Sequence, residues 1–104
     1  MAEENKKKGF FQRLKNKYRL VVMNLFPNPF HEFASIDLEG LIGENQYEFL
    51  VADVSGRILF RVNGIPAIIV SQGEKLLNTL SSGYYSVLLT DDSGNKLSTP
   101  IIKY

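Results

Sequence analysis

From residue 20 onward, the chain is cut into short apolar stretches by turn residues at close intervals. That punctuation leaves room for strands and tight connections, the pattern of an antiparallel all-β domain. Candidate strands fall at residues 20–26, 33–39, 46–53, 57–62, 67–71, 84–90 and 96–103. Their number and spacing predict an immunoglobulin-like antiparallel β-sandwich of about seven strands.

The local chemistry supports most of these boundaries. Pro27-Asn28-Pro29 ends the first strand, because two prolines remove backbone donors and fix φ. Residues 33–39 alternate, with Ala34, Ile36 and Leu38 on one side and Ser35, Asp37 and Glu39 on the other, as in a half-buried strand. Val54-Ser55-Gly56 joins residues 46–53 to 57–62 as a hairpin: Asp53 and Ser55 bond nearby backbone and Gly56 takes positive φ. Asp91-Asp92-Ser93-Gly94-Asn95 marks a second hairpin before the last strand. Between them, residues 67–71 read as a short β-branched strand, and 73–80 as a loop with one helical turn crossing between sheets.

Composition bounds the rest. At 104 residues, 44% of them hydrophobic, the chain supports one core. It contains no cysteine, so disulfides and thiolate metal sites are excluded. Charged or polar residues interrupt every apolar run before the roughly 18–20 residues a membrane-spanning helix requires.

The formal net charge of +1 conceals a split. Residues 1–19 carry seven Lys and Arg against Glu3 and Glu4, a net of +5, whereas residues 20–104 carry five against nine carboxylates, a net of −4. The expected layout is therefore a basic amphipathic arm, residues 1–19, before a sandwich over 20–104. At about 100° per residue, Phe10, Phe11, Leu14 and Tyr18 share one helical face with Val21, Val22 and Leu25, and Arg13 and Lys17 point elsewhere. A helix over 9–19 is expected, its Phe10, Phe11, Arg13, Leu14, Lys17 and Tyr18 suited to weak contact with an anionic membrane surface. The aromatics favour membrane over nucleic acid, and a solvated arm is the simpler alternative.

No constellation for chemistry emerges. His31 is the sole histidine, and local spacing gathers no carboxylates around it for a metal site. Asp91-Asp92 lacks the length and ligand spacing of a calcium loop. The serines have no nucleophile elbow, and no glycine loop cradles phosphate. The expectation is a non-enzyme without cofactor, metal or catalytic residue.

Four stretches carry a resemblance: Leu25-Phe26-Pro27-Asn28-Pro29-Phe30; Phe49 to Leu59 with Asp53, Gly56 and Arg57; Leu80-Ser81-Ser82-Gly83-Tyr84-Tyr85; and Gly94-Asn95-Lys96 with Ile101-Ile102-Lys103. In order and approximate spacing, residues 20–104 resemble the C-terminal sorting domain of proteins exported by the type IX secretion system. The positions shared with that family are Pro27, Asn28, Pro29, Asp53, Gly56, Gly83, Tyr85, Ile101, Ile102 and Lys103.

The resemblance implies a targeting module recognised by translocon or attachment-complex proteins, exported through the periplasm to the cell surface or medium. It further implies that the machinery reads the last strand, where a free sheet edge accepts a partner strand. Ile101 and Ile102 point to opposite faces, one into the core and one to the surface. The competing reading is an adhesive or structural immunoglobulin-like sandwich that binds a protein or membrane surface. Residues 1–19 lack the apolar run and cleavage site of a signal peptide, so the chain expressed alone is expected to stay cytoplasmic. Its oligomeric state has no sequence signature.

Overall fold

The computed structural model describes residues 11–15, 20–41 and 43–104, with side chains described for 21–41 and 43–104. The elements are β1 (Phe11–Lys15), β2 (Leu20–Phe26), β3 (Ser35–Glu39), β4 (Tyr47–Asp53), β5 (Ile58–Gly64), α1 (Pro66–Leu77), β6 (Gly83–Asp91) and β7 (Lys96–Lys103). They form two antiparallel sheets, ordered β1-β2-β3 and β5-β4-β6-β7, with one short helix.

Alternation places the core. Along β4, Tyr47, Phe49 and Val51 are buried, with half-exposed residues between them. β7 repeats the rule with Leu97, Thr99 and Ile101 inward. Met23 and Leu25 of β2, Ile36 of β3, and Val87 and Leu89 of β6 join the same buried cluster, so the two sheets share one core. Each such side chain contributes about 1.5–3 kcal/mol on burial. β3 begins at Ser35, not at residue 33, and Phe33 is exposed.

Two expectations fail, each for a physical reason. The strand expected at 67–71 and the loop expected at 73–80 are replaced by α1 through Leu77. β5 and β6 both lie antiparallel to β4, on its two sides, and so run parallel to each other. Joining parallel strands requires a crossover of a dozen or more residues, and α1 supplies it. Pro66 opens the helix, where a missing N–H costs nothing, and Ile69, Gly73 and Leu77 form its buried stripe at intervals of four.

The second failure is in the front segment, where residues 11–15 of the expected helix form β1. β1 pairs with β2 from Phe11↔Asn24 to Lys15↔Leu20. An isolated helix of about 11 residues is marginal in water, whereas a neighbouring strand provides backbone partners immediately. The remaining residues of that expected helix lie outside the described range.

β1 lies beside β7, and α1 lies against β3, β4 and β5. Gly73 allows the close approach: a Cβ there would stand 2.8 Å from Ile36 Cδ1 and 3.1 Å from the Phe49 ring. The Glu74 carboxylate accepts the Ile36 N–H at 2.8 Å, satisfying a donor on the β3 edge that no strand reaches.

Candidate recognition site

Both hairpins close on the same five-residue device, Asp-x-Ser-Gly-x. In the β4–β5 turn, Asp53 Oδ1 accepts from Ser55 N at 3.0 Å, Ser55 Oγ at 2.6 Å and Arg57 N at 3.0 Å. In the β6–β7 turn, Asp91 Oδ1 accepts from Ser93 N and Asn95 N, both at 2.9 Å, and Oδ2 from Asn95 Nδ2 at 3.0 Å. Gly56 stands at φ 89°, a region that side-chain-bearing residues avoid.

The Ser55 hydroxyl lowers the Asp53 carboxyl most; burial opposes it, and the N–H groups of Arg57 and Ser55 with the Arg57 guanidinium add to the hydroxyl and leave a net lowering. At Asp91, burial pushes the carboxyl up, but the Asn95 side chain and the N–H groups of Asn95, Ser93 and Gly94 together outweigh it and leave a net lowering. A carboxyl lowered on folding stabilises the fold above its unfolded pKa of about 3.9, and that stability disappears as the pH falls through the folded value. Urea midpoints are therefore expected to drop between pH 6 and pH 3. Asp53→Asn combined with Asp91→Asn, which keeps the Oδ1 acceptor in each turn but puts an amide NH2 in place of Oδ2, flattens that drop; an unchanged acid slope in the double variant would refute the assignment.

The Pro27-Asn28-Pro29 segment is the second device. It follows β2 directly, with cis bonds at Phe26-Pro27 and Asn28-Pro29. The Asn28 side chain reaches β7: Nδ2 donates to Pro100 O at 2.9 Å, and Oδ1 accepts from Ile102 N at 3.0 Å. Phe30 continues the contact through its backbone, with Phe30 N donating to Ile102 O and Tyr104 N to Phe30 O, both at 2.9 Å. Phe30 itself is completely buried.

The outer edge of β7 is thus closed over Pro100 to Tyr104 by Asn28 and Phe30, which corrects the expectation of a free edge there. Pro100 suits this position because an edge strand tolerates a residue without N–H. Lys103 Nζ lies 5.5 Å from the Phe30 ring centroid and 3.5 Å from the Asn78 carbonyl at the end of α1. There it meets both an aromatic face and the negative end of a helix dipole. His31 packs on Tyr104, ring centroids 5.0 Å apart.

The residues singled out in the sequence gather at one end of the larger sheet. Asp53 pairs with Tyr85, and Tyr85 with Ile101; Gly83 pairs with Lys103 two rungs further on. Ile101 is buried and Ile102 half-buried on the opposite face. The Tyr85 hydroxyl donates to Ser81 O, and Gly56 sits in the turn following Asp53. Phe10, Lys17 and Tyr18 lie outside the described residues, and Phe11, Arg13 and Leu14 are described as backbone of β1 alone. Sequence reasoning quoted Phe30 in the Pro27-Asn28-Pro29 stretch without giving it a role, and missed Glu74 and Asn78. Only Phe30, an aromatic directly after the second proline, carried a visible signal.

These observations define a small β-rich domain in which distant motifs converge on a clamped final strand. The family model described as "Secretion system C-terminal sorting domain" matches residues 24–103, and the chain belongs to that family. Its domain is the C-terminal sorting signal of type IX secretion cargo, recognised by the secretion machinery and directing export to the cell surface or beyond. No curated protein and no solved structure matched the chain.

Proposed function

We propose that the export machinery reads this domain in folded form at the end of the larger sheet where β7, the Pro27-Asn28-Pro29 loop and the β4–β5 turn meet. The meeting of Pro27-Asn28-Pro29, Asp53, Gly83 with Tyr85, and Ile101 to Lys103 at that end supports this reading. Translocon and attachment-complex proteins are the partners, met on the periplasmic side before cargo crosses the outer membrane and is attached. The work is recognition, with no catalytic residue or cofactor. The same reading takes the two sheets as an immunoglobulin-like sandwich, with α1 standing where the smaller sheet would carry a fourth strand.

The test is a reporter with a signal peptide in front and residues 1–104 behind, expressed in a bacterium carrying the system. The intact fusion is expected in the medium or on the surface. Deleting residues 97–104 removes β7 and is expected to lower export at least ten-fold. Export unchanged by that deletion would overturn the reading.

A further inference from the structure

β7 is the edge of the larger sheet, with β6 on one side and no strand of that sheet on the other. From Pro100 to Tyr104, four backbone groups point to the outer side, and each has a partner. Pro100 O accepts from Asn28 Nδ2 at 2.9 Å, and Ile102 N donates to Asn28 Oδ1 at 3.0 Å. Ile102 O accepts from Phe30 N, and Tyr104 N donates to Phe30 O, both at 2.9 Å. The N–H that residue 100 would add to this row is missing, because the residue is proline. Phe30 meets Lys103 as an isolated parallel bridge, and the Asn28 amide offers the same donor and acceptor as a peptide group. Residues 28–30 thus imitate a short parallel strand laid along β7.

An edge strand with open backbone groups is a template for pairing with another chain, and proteins cover such edges. The four groups covered here are also complementary to themselves. In an antiparallel pair of two β7 strands centred on Ile102, Ile102 N and O of one copy face Ile102 O and N of the other. Two residues away on either side, Tyr104 N of each copy faces Pro100 O of the other. Every group that residues 28–30 now hold finds a partner in that pair, and the proline leaves only the Tyr104 carbonyl without one. The same two-fold axis sets the two Ile102 side chains opposite each other, a β-branched cross-strand pair.

We propose that residues 28–30 are an intramolecular guard, which occupies the outer edge of β7 and keeps it from pairing about Ile102 with β7 of a second copy. Guard and second copy compete directly, since both use the same four groups. The competition is a property of the chain alone and is independent of how the export machinery reads the domain.

The test measures the mass of the purified full chain against concentration by light scattering, together with amide exchange at Ile102. The parent is expected to stay monomeric. Asn28→Ala frees Pro100 O and Ile102 N and is expected to associate at least ten-fold more tightly, its mass rising toward twice the monomer's. Ile102 exchange, fast in the dilute variant, is expected to slow again as the dimer forms. Adding Ile102→Pro removes the central donor on the outer side, where an edge strand tolerates proline, and is expected to restore the monomer. Val62→Ala, a buried position in β5 at the opposite edge, controls for lost stability and is expected to stay monomeric. Asn28→Asp keeps the acceptor for Ile102 N and decides the matter if Asn28→Ala unfolds, with association again expected to exceed the parent's. A dimeric parent, or a folded Asn28 variant that stays monomeric at every concentration, overturns the proposal. So does association that Ile102→Pro leaves unchanged or that Val62→Ala reproduces, since it would then run through another surface or through partial unfolding.

Discussion

Phe30→Ala is expected to cost about 3–5 kcal/mol, the range for removing a fully buried aromatic ring and leaving a cavity. The residue is completely buried, and its backbone exchanges two hydrogen bonds with Ile102 and Tyr104. Its ring also carries Lys103 Nζ at 5.5 Å, a contact of about 0.5–1 kcal/mol at a partly exposed site. The loss is therefore expected at two levels. Urea unfolding of the whole domain shifts to a lower midpoint, and amide exchange at Ile102 and Tyr104 accelerates further than in β4, because the last strand loses its anchor. Phe30→Leu, which refills much of the volume, is expected to recover more than half of the loss. A midpoint within about 1 kcal/mol of the parent in Phe30→Ala would show that the anchor is not made by this ring.

Asn28→Ala is the second large effect, at about 1–3 kcal/mol. One planar amide supplies both a donor to Pro100 O and an acceptor for Ile102 N, across 72 and 74 residues of sequence. Alanine satisfies neither, and water must replace both bonds at a half-buried site. Asn28→Asp separates the two roles, retaining the acceptor for Ile102 N but turning the donor to Pro100 O into a second acceptor facing a carbonyl. The expected order of stability is Asn, then Asp, then Ala, with the Ile102 amide protected in the Asp variant and exchanging at least ten-fold faster in the Ala variant. Equal exchange in all three would mean that the amide only terminates β2.

The two predictions separate what the Pro27-Asn28-Pro29 motif does from what it looks like. By sequence alone, it reads as a strand stop, because prolines end a ladder. Its consequence for β7 was invisible, since nothing local states which strand a loop amide will meet. Much of the rest was legible. The alternation in β3, β4 and β7, both Asp-x-Ser-Gly turns and the opposite placement of Ile101 and Ile102 follow from period-two burial and turn chemistry, which act over a few residues.

The misreadings share one cause. Ile68-Ile69-Val70 carries strand propensity and Gly73 weakens a helix, so residues 67–80 look like strand and loop. They become α1 because β5 and β6 run parallel on either side of β4, and because Gly73 lets a helix settle against Ile36 and Phe49. The front segment has helical periodicity, but β2 offers residues 11–15 a ladder. In both places, tertiary partners override a local preference worth less than about 1 kcal/mol per residue.

The sequence by itself determined that the chain would be mostly β, where its hairpins turn, and through four ordered motifs which family it belongs to, because turn chemistry and burial period are local and additive. Only the tertiary structure decided that Pro27-Asn28-Pro29, Asp53, Gly83 with Tyr85, and Ile101 to Lys103 meet at one end of the larger sheet, and that Asn28 and Phe30 hold the final strand. Those features depend on strand order and cross-strand register, which bring together residues more than 70 positions apart and leave no trace in any short window of sequence.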